Sequence, residues 1–134
     1  MYREEFFVET NSHEEAINIT EKIQEIVARS GVKNGLCNIY VPHATAGLII
    51  NEDADPNVMI DLFNALRKSI PDHAGWLHDR IDNNAAAHIK SSITSCSVDI
   101  PIIDGKPGLG TWQGVMLLEF DGPRRRRVIV TIIS

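Results

Sequence analysis

Residues 41–53 read VPHATAGLIINED, and they combine an apolar strand with polar side chains at both of its ends. The run Leu48–Ile50 is typical of a buried β-strand, because branched apolar side chains suit a pleated surface that other elements cover. His43 and Thr45 precede this run, and Asn51–Asp53 follow it. Polar residues in these places either cap loops or line a pocket, so the segment predicts a core strand beside a candidate site.

The length and composition predict one soluble globular domain that covers residues 1–134. A chain of 134 residues buries roughly two thirds of the surface that its unfolded form exposes. The hydrophobic fraction of 43% excludes the low hydrophobicity that marks disordered chains. The net charge of −5 predicts no nucleic-acid partner, since phosphate contacts are supplied by Lys and Arg.

The cysteines and the N-terminus predict a cytoplasmic protein. Cys37 and Cys96 are far apart and form no CxxC pair, which favours a reducing compartment. The first ten residues, MYREEFFVET, are acidic where a secretory signal would be basic and then apolar. No later segment reaches the length of a membrane span, so no membrane partner is predicted.

Local patterns predict three helices. A capping box opens the first, over residues 12–31, and apolar residues continue from it at helical spacing. The pair Asp55-Pro56 is a strong helix start and predicts the second helix over residues 55–68. A short third helix is predicted over residues 84–92, and it carries His88.

The remaining segments predict strands. They lie at residues 2–10, in the strings GLCNIYV and GLIIN, and in the last third of the chain, which holds SCSVDIPII, TWQGVMLLEF and VIVTIIS. Because the strands come in runs rather than in alternation with helices, the prediction is an α+β fold, a mostly antiparallel β-sandwich with packed helices. The apolar strings LLEF and VIVTIIS are expected to be covered on both faces.

Three of the five histidines stand in contexts that suggest a site. His43 precedes the apolar strand, His78 lies in the loop WLHDRIDNN, and His88 is flanked by small residues in AAAHIK. Three neutral imidazoles with an open fourth position form a recognised catalytic zinc arrangement. No short metal signature such as HExxH is present. Half-buried histidines bonded to backbone or water are therefore the alternative interpretation.

Two carboxylates stand out from the solvated ones. Glu52 ends the apolar strand, and Glu119 follows MLL in another apolar strand. Each is a candidate for general acid or base work or for orienting a metal-bound histidine. Structural pairing with an arginine explains either one equally well.

The string DGPRRRRV has two interpretations. If the last strand includes it, Arg124 and Arg126 share one face while Arg125 and Arg127 share the other. One pair would then suit a phosphate group. The alternative is a charged edge that discourages aggregation and pairs with local acids.

The string KPGLGTWQG is not a phosphate-binding loop, because it lacks both the Walker A ending and the dinucleotide fingerprint. Its glycines predict a turn. Thr111 and Gln113 would put polar groups beside a pocket, while Trp112 is by default a core residue.

Four motifs together resemble the YjbQ family, whose members are often described as secondary thiamine-phosphate synthase enzymes. They are VPHATAGLIINED, AHIKSSI, GLGTWQGVMLLE and EFDGPRRR, in the family's order and spacing over essentially the whole chain. The resemblance implies a compact α+β domain built around a β-sandwich, assembly as a homotrimer, and a divalent metal held by histidines.

The resemblance also implies roles for single residues. His43, His78 and His88 match family histidines and are the implied ligands of the metal, with zinc expected. Glu52 and Glu119 are the expected catalytic carboxylates because of their places in the apolar strands, independently of the resemblance. Substrate binding is expected from the remaining matched polar residues together with the threonine after His43, namely Thr45, Asn51, Thr111, Gln113, Arg124 and Arg126. The AAA run before His88 and the segment after His43 depart from the family's usual residues but remove none of these ligands.

Three functions remain open at this point. The first is a metal-dependent enzyme acting on a small phosphorylated molecule, with thiamine-phosphate synthesis supported by the family description alone. The second is a metal-dependent hydrolase in which Glu52 or Glu119 is the base. The third is a non-enzymatic trimeric module that binds a metal or a small ligand.

Overall fold

Two antiparallel sheets form the framework of the fold. The computed structural model describes residues 1–134, and its elements in chain order are β1 (Tyr2–Glu9), β2 (Glu15–Asn18), α1 (Thr20–Ser30), β3 (Gly35–Tyr40), β4 (Ala46–Glu52), α2 (Pro56–Ser69), a 3₁₀ turn (Leu77–Arg80), α3 (Ala85–Thr94), β5 (Ser97–Ile103), β6 (Lys106–Pro107), β7 (Gln113–Glu119) and β8 (Arg125–Ile133). The larger sheet has the strand order β1-β8-β3-β5-β6 and the smaller one β2-β7-β4, with antiparallel pairing throughout.

The main core lies between the two sheets and α1. Ile39 and Val130 of the larger sheet are fully buried in one cluster with Leu48 and Leu117 of the smaller sheet and Ile23 of α1. Burying branched apolar side chains of this size stabilises the fold by roughly 1.5–3 kcal/mol each. The α+β prediction with antiparallel strands is therefore confirmed.

A second core covers the other face of the smaller sheet. Phe63 and Leu66 of α2 pack there with Met116 and Leu118 of β7. Because successive side chains of a strand point to opposite faces, β7 feeds both cores and is buried on both sides. The prediction for LLEF is thus confirmed.

Within one chain VIVTIIS is covered on one face, and coverage of its other face by a neighbouring subunit stays a prediction. Along β8, Val128, Val130 and Ile132 are buried, whereas Ile129 is only partly buried and Ile133 is exposed. The strand lies inside a sheet that faces the core on one side, so only the inward set of side chains is covered.

The predicted first helix is wrong in its first turns. Residues Glu15–Asn18 form β2, which pairs with β7, and α1 begins only at Thr20. The capping-box glutamate does bind backbone, since Glu15 accepts the N–H groups of Asn11 and Ser12 at 2.6 and 2.8 Å. Those bonds stabilise the turn into β2, because pairing with β7 outweighs the local helical pattern.

The second and third helices agree with the prediction. Asp55 caps α2 by accepting the N–H of Asn57 at 2.9 Å, and Pro56 occupies the first helical position. α3 spans Ala85–Thr94. None of the helices is long and apolar enough to cross a membrane.

Candidate functional site

Strand β4 separates the predicted site residues into two groups. His43 lies before the start of β4, whereas Asn51 and Glu52 lie at its far end. Seven strand residues span roughly 20 Å. Gln113 pairs with Glu52 in the sheet, and Thr111 is two residues before it, so both belong to the far end. Within one chain, Glu52 therefore does not share a site with His43.

The three histidines lie together at the near end. His43 and His88 line one cleft, and the His78 ring contacts the His88 ring with a centroid distance of 4.6 Å and an interplanar angle of 81°. We refer to the region formed by His43, His78 and His88 as the histidine cleft. Its wall also includes Ala44, Ser91, Ser92, Ile93, Ser95 and Cys96.

His43 is held by the backbone of β8. Its Nε2 accepts the N–H of Arg127 at 2.8 Å, so in the neutral ring the proton is on Nδ1. Burial lowers the pKa of His43, and the positive charge of Arg126 lowers it further. His43 is therefore a neutral imidazole near pH 7, with an Nδ1–H available as a donor.

His78 carries a ring nitrogen without a hydrogen-bond partner. Its Nε2 is buried and unpaired, and Oδ2 of Asp82 is 3.6 Å away, beyond ordinary hydrogen-bond length. Buried polar atoms are rarely left in this state. This nitrogen therefore carries either a lone pair or a proton to which no group of the chain is hydrogen-bonded, and its ring contacts His88.

The 3₁₀ turn is fastened to the start of α3. Asp79 Oδ1 accepts the N–H of Ala85 at 2.9 Å, and Asn84 Nδ2 donates to Asp121 Oδ2 at 2.9 Å. Asp79 Oδ2 and Asn84 Oδ1 are buried without partners. The Asp79 bond holds the turn that carries His78 against the helix that carries His88, and the Asn84 bond ties the start of that helix to Asp121.

The histidine cleft provides part of a metal-ligand set. The chain holds no group of three or more His, Cys, Asp or Glu residues arranged around one metal position. His78 and His88 are adjoining imidazoles, and the unpaired His78 nitrogen has the donor chemistry that divalent transition metals prefer. His43 would be a third ligand through Nε2 only after releasing the N–H of Arg127.

A buried ion pair lies behind His43. Glu119 is fully buried and Arg126 is 3% exposed, and Arg126 Nε donates to Glu119 Oε1 at 2.8 Å. Arg126 Nη2 donates to Glu119 Oε2 as well, and to the carbonyl and hydroxyl oxygens of Thr45 at 3.1 and 2.9 Å. Thr10 completes the group with an O–H bond of 2.8 Å to Glu119.

These bonds determine the charge of Glu119. Burial raises its pKa, but the hydrogen bonds from Arg126, the Asp121 N–H and Thr10 together outweigh burial and lower it. Glu119 is therefore an enclosed carboxylate paired with an arginine. It holds Arg126, and through it Thr45, two residues after His43.

All four arginines of the DGPRRRRV string pair with carboxylates of the chain. Arg126 points inward, while Arg125 and Arg127 point outward as strand geometry predicts. Arg124 precedes β8 and binds Asp121 at 2.9 Å. Arg125 and Arg127 bind Glu9 and Glu5 at 3.2 and 2.6 Å. The predicted pairing with local acids thus agrees with the contacts, but the predicted charged edge is wrong, because β8 lies inside its sheet between β1 and β3.

Sequence reasoning missed several residues of this region. Thr10 is 109 positions from the carboxylate that it binds. Asp79 and Asp121 read as ordinary turn residues, and Asn84 only as the start of the third helix. No pattern in the sequence joins these residues, because the fold alone brings them together.

A family model and several relatives match the chain. The model described as UPF0047 protein YjbQ-like matches residues 4–134. UPF0047 protein MJ1081 of Methanocaldococcus jannaschii is 50% identical over 127 residues, covering 95% of this chain and 91% of its own. UPF0047 protein YugU of Bacillus subtilis is 36% identical over 130 residues, covering 95% and 96%. None of these names states a reaction.

Solved structures match the fold closely. A YjbQ/UPF0047 family protein from Clostridium acetobutylicum superposes with a TM-score of 0.93 at 43% identity, covering 96% of this chain and 98% of that one. A hypothetical protein from Aeropyrum pernix K1 gives a TM-score of 0.96 at 36% identity, covering 100% and 99%. The arrangement of sheets and helices described above is thus also found in crystals.

Replacing Glu119 by Gln is expected to destabilise the fold by about 3–5 kcal/mol at pH 7, because Arg126 keeps a buried charge without its partner. Urea denaturation measures this loss. Glu5→Gln removes only the exposed pair with Arg127 and should cost about 1 kcal/mol or less.

The difference in stability between wild type and Glu119→Gln depends on pH. The pKa of folded Glu119 is below its ordinary value of about 4.3, so the contribution of its charge is complete above that pH. It is lost as the pH falls through the lower folded-state value. If the difference in the free energy of unfolding between wild type and Glu119→Gln stayed constant down to pH 3, this account would be contradicted.

His43 is expected to titrate below the ordinary histidine value of about 6.5 and to carry its neutral proton on Nδ1. Since the folded state binds this proton more weakly than the unfolded state, the contribution of His43 to stability declines as the pH drops below that value. Nitrogen-15 NMR of the imidazoles measures both properties. An Nε2–H tautomer, or a pKa at or above the ordinary value, would disprove the assignment.

Proposed function

We propose that this chain, which belongs to the UPF0047 YjbQ-like family, is an enzyme that acts on a small phosphorylated molecule in the histidine cleft. The observation that carries the proposal is the convergence of three imidazoles with different hydrogen-bonding states at one end of β4. His43 is a neutral donor, and His78 has a buried nitrogen with no partner. A buried ring nitrogen without a partner is uncommon in proteins, and it is the feature of His78 that suggests a ligand.

The local charges support an anionic substrate. Burial is the largest cause of the lowered pKa of His43, and the charges of Arg126 and Arg127 lower it further, with Arg126 lowering it more than Glu119 raises it. The donors of both arginines are already bonded to carboxylates, so their contribution to a phosphate is electrostatic rather than a direct contact. The Nδ1–H of His43 is the group of this chain that would donate a hydrogen bond to a phosphate oxygen.

A divalent metal is part of the proposal, with zinc as the first candidate. His78 and His88 would hold it, with His43 as the third ligand if its ring turned away from Arg127. When bound, such a metal polarises a phosphoryl oxygen or activates a water molecule. The chain itself supplies the rigid wall, because the pair of Glu119 and Arg126 fixes the segment that follows His43.

The alternative functions require different groups in the histidine cleft. Thiamine-phosphate synthase activity would require a pyrimidine pyrophosphate and a thiazole phosphate as joint substrates, and nothing in the cleft selects those rings. A metal-dependent hydrolase would need a base, and Glu119 is enclosed by Arg126 while Glu52 is at the other end of β4. A binding module without catalysis would hold a ligand and release it unchanged.

The enzyme proposal is tested with a panel of small phosphate and pyrophosphate esters, assayed with Zn²⁺, Mn²⁺ or Ni²⁺ on untagged protein from a host lacking its own thiamine-phosphate synthase. Turnover should fall by at least about 100-fold in His88→Ala, as is usual when an acid-base group or a metal ligand is lost. Elemental analysis should find near one metal per chain in wild type and none in folded His43→Ala, His78→Ala and His88→Ala.

His73→Asn is the matched control. His73 lies in an exposed loop with a positive φ of 55°, a conformation that asparagine tolerates. It should keep full activity and metal content. Tight ligand binding without turnover across the panel would instead favour the binding module, and activity unchanged in His88→Ala would refute the proposal.

A homotrimer is proposed as the working assembly. Apolar side chains are exposed on the larger sheet, including Phe7, Leu36, Tyr40 and Ile133. Assembly would also let the far end of β4 in one copy approach the histidine cleft of another. Analytical ultracentrifugation should give about three times the 14.9 kDa chain mass. A monomer at micromolar concentration would rule this assembly out.

A further inference from the structure

A groove of about 480 Å³ runs between α2 and the smaller sheet, away from the histidine cleft. Its floor is apolar. Pro56, Met59, Ile60 and Phe63 recur at three- and four-residue steps and thus form one stripe of α2, which faces Met116 of β7. Ile60 is 54% exposed. The volume is within the range of roughly 300–1,000 Å³ that is typical of small-molecule sites.

The rim of the groove is acidic. Five carboxylates line it, and one of them, Glu14, is paired with Arg67 at 2.6 Å and with the buried Lys90 at 2.8 Å. The other four form no ion pair within the chain. The carboxylate of Glu52 makes no hydrogen bond within the chain and is partly buried. In this it differs from Glu5 and Glu9 of β1, which pair with arginines. The rim carboxylates are Glu14, Glu15, Glu52, Asp53 and Asp55.

From this combination we infer that the groove binds a small organic cation, an ammonium group on an apolar chain. The apolar part would cover Met59, Ile60 and Met116, and the ammonium group would lie against Glu52 and its acidic neighbours. A cation there relieves the repulsion among like charges that the fold holds together. An anion of the same shape would add to that repulsion.

Two features of the groove support this ligand class over others. Methionine side chains adapt their shape to flexible alkyl chains, and Met59 and Met116 flank the floor. The excess of carboxylates is complementary in charge to an ammonium group. It repels an anionic analogue and gives a neutral one no charge attraction. The inference does not depend on the histidine cleft, because the groove is bounded by the other end of β4.

The test is a titration with hexylammonium, monitored by methyl NMR of Ile60, Met59 and Met116. Hexanol and hexanoate serve as neutral and anionic chains of the same length. Hexylammonium should bind roughly tenfold more tightly than hexanol, with hexanoate weaker still. Its affinity should decrease as salt is raised, since these charges are near the surface.

Substitutions at the rim and elsewhere distinguish the effect of the rim carboxylates on binding from the effect of surface charge in general. Glu52→Gln combined with Glu15→Gln should weaken hexylammonium binding several-fold while hexanol binding is unchanged. Asp72→Asn, in an exposed loop away from the groove, should leave the affinity for hexylammonium unaltered. Equal affinity for the three chains, methyl shifts outside the groove, or no effect of the double variant would each overturn the inference.

Discussion

The buried pair between Glu119 and Arg126 constrains the whole near end of the protein. Two opposite charges in an apolar interior are tolerated only when their remaining hydrogen-bonding groups are satisfied. Here Thr10, Thr45 and the backbone N–H of Asp121 supply the missing partners. Three regions that are remote in sequence, around Thr10, Thr45 and residues 119–126, must therefore meet at one place, and the polypeptide around His43 is fixed by that requirement.

The histidine cleft follows from this constraint and from the start of α3. His43 is bonded to the backbone of β8, directly after Arg126, while His78 and His88 are held by the 3₁₀ turn and the helix. Asn84 ties the helix start to Asp121, whose N–H binds Glu119. A continuous set of hydrogen bonds thus links both sides of the cleft. This rigidity is what an acid-base or metal site requires of its scaffold.

Sequence patterns predicted those parts of the molecule that depend on local chemistry. The cap at Asp55, the apolar strand at Leu48 and the alternation of Arg125, Arg126 and Arg127 between two faces all follow from short-range rules. The strand at Ala16 was missed because its pairing with β7 is a long-range contact that overrides a helical pattern. The separation of Glu52 from His43 was missed for a different reason. The two residues are close in sequence, but an extended strand of seven residues places its ends roughly 20 Å apart.

The most direct test of the histidine cleft as the reactive site is anomalous X-ray diffraction from crystals grown with Zn²⁺, recorded on both sides of the zinc absorption edge. The account predicts one strong peak between the rings of His78 and His88, with the His43 ring turned toward it. A peak confined to the acidic end near Glu52, or no ordered zinc at the histidines at saturating concentration, would contradict it.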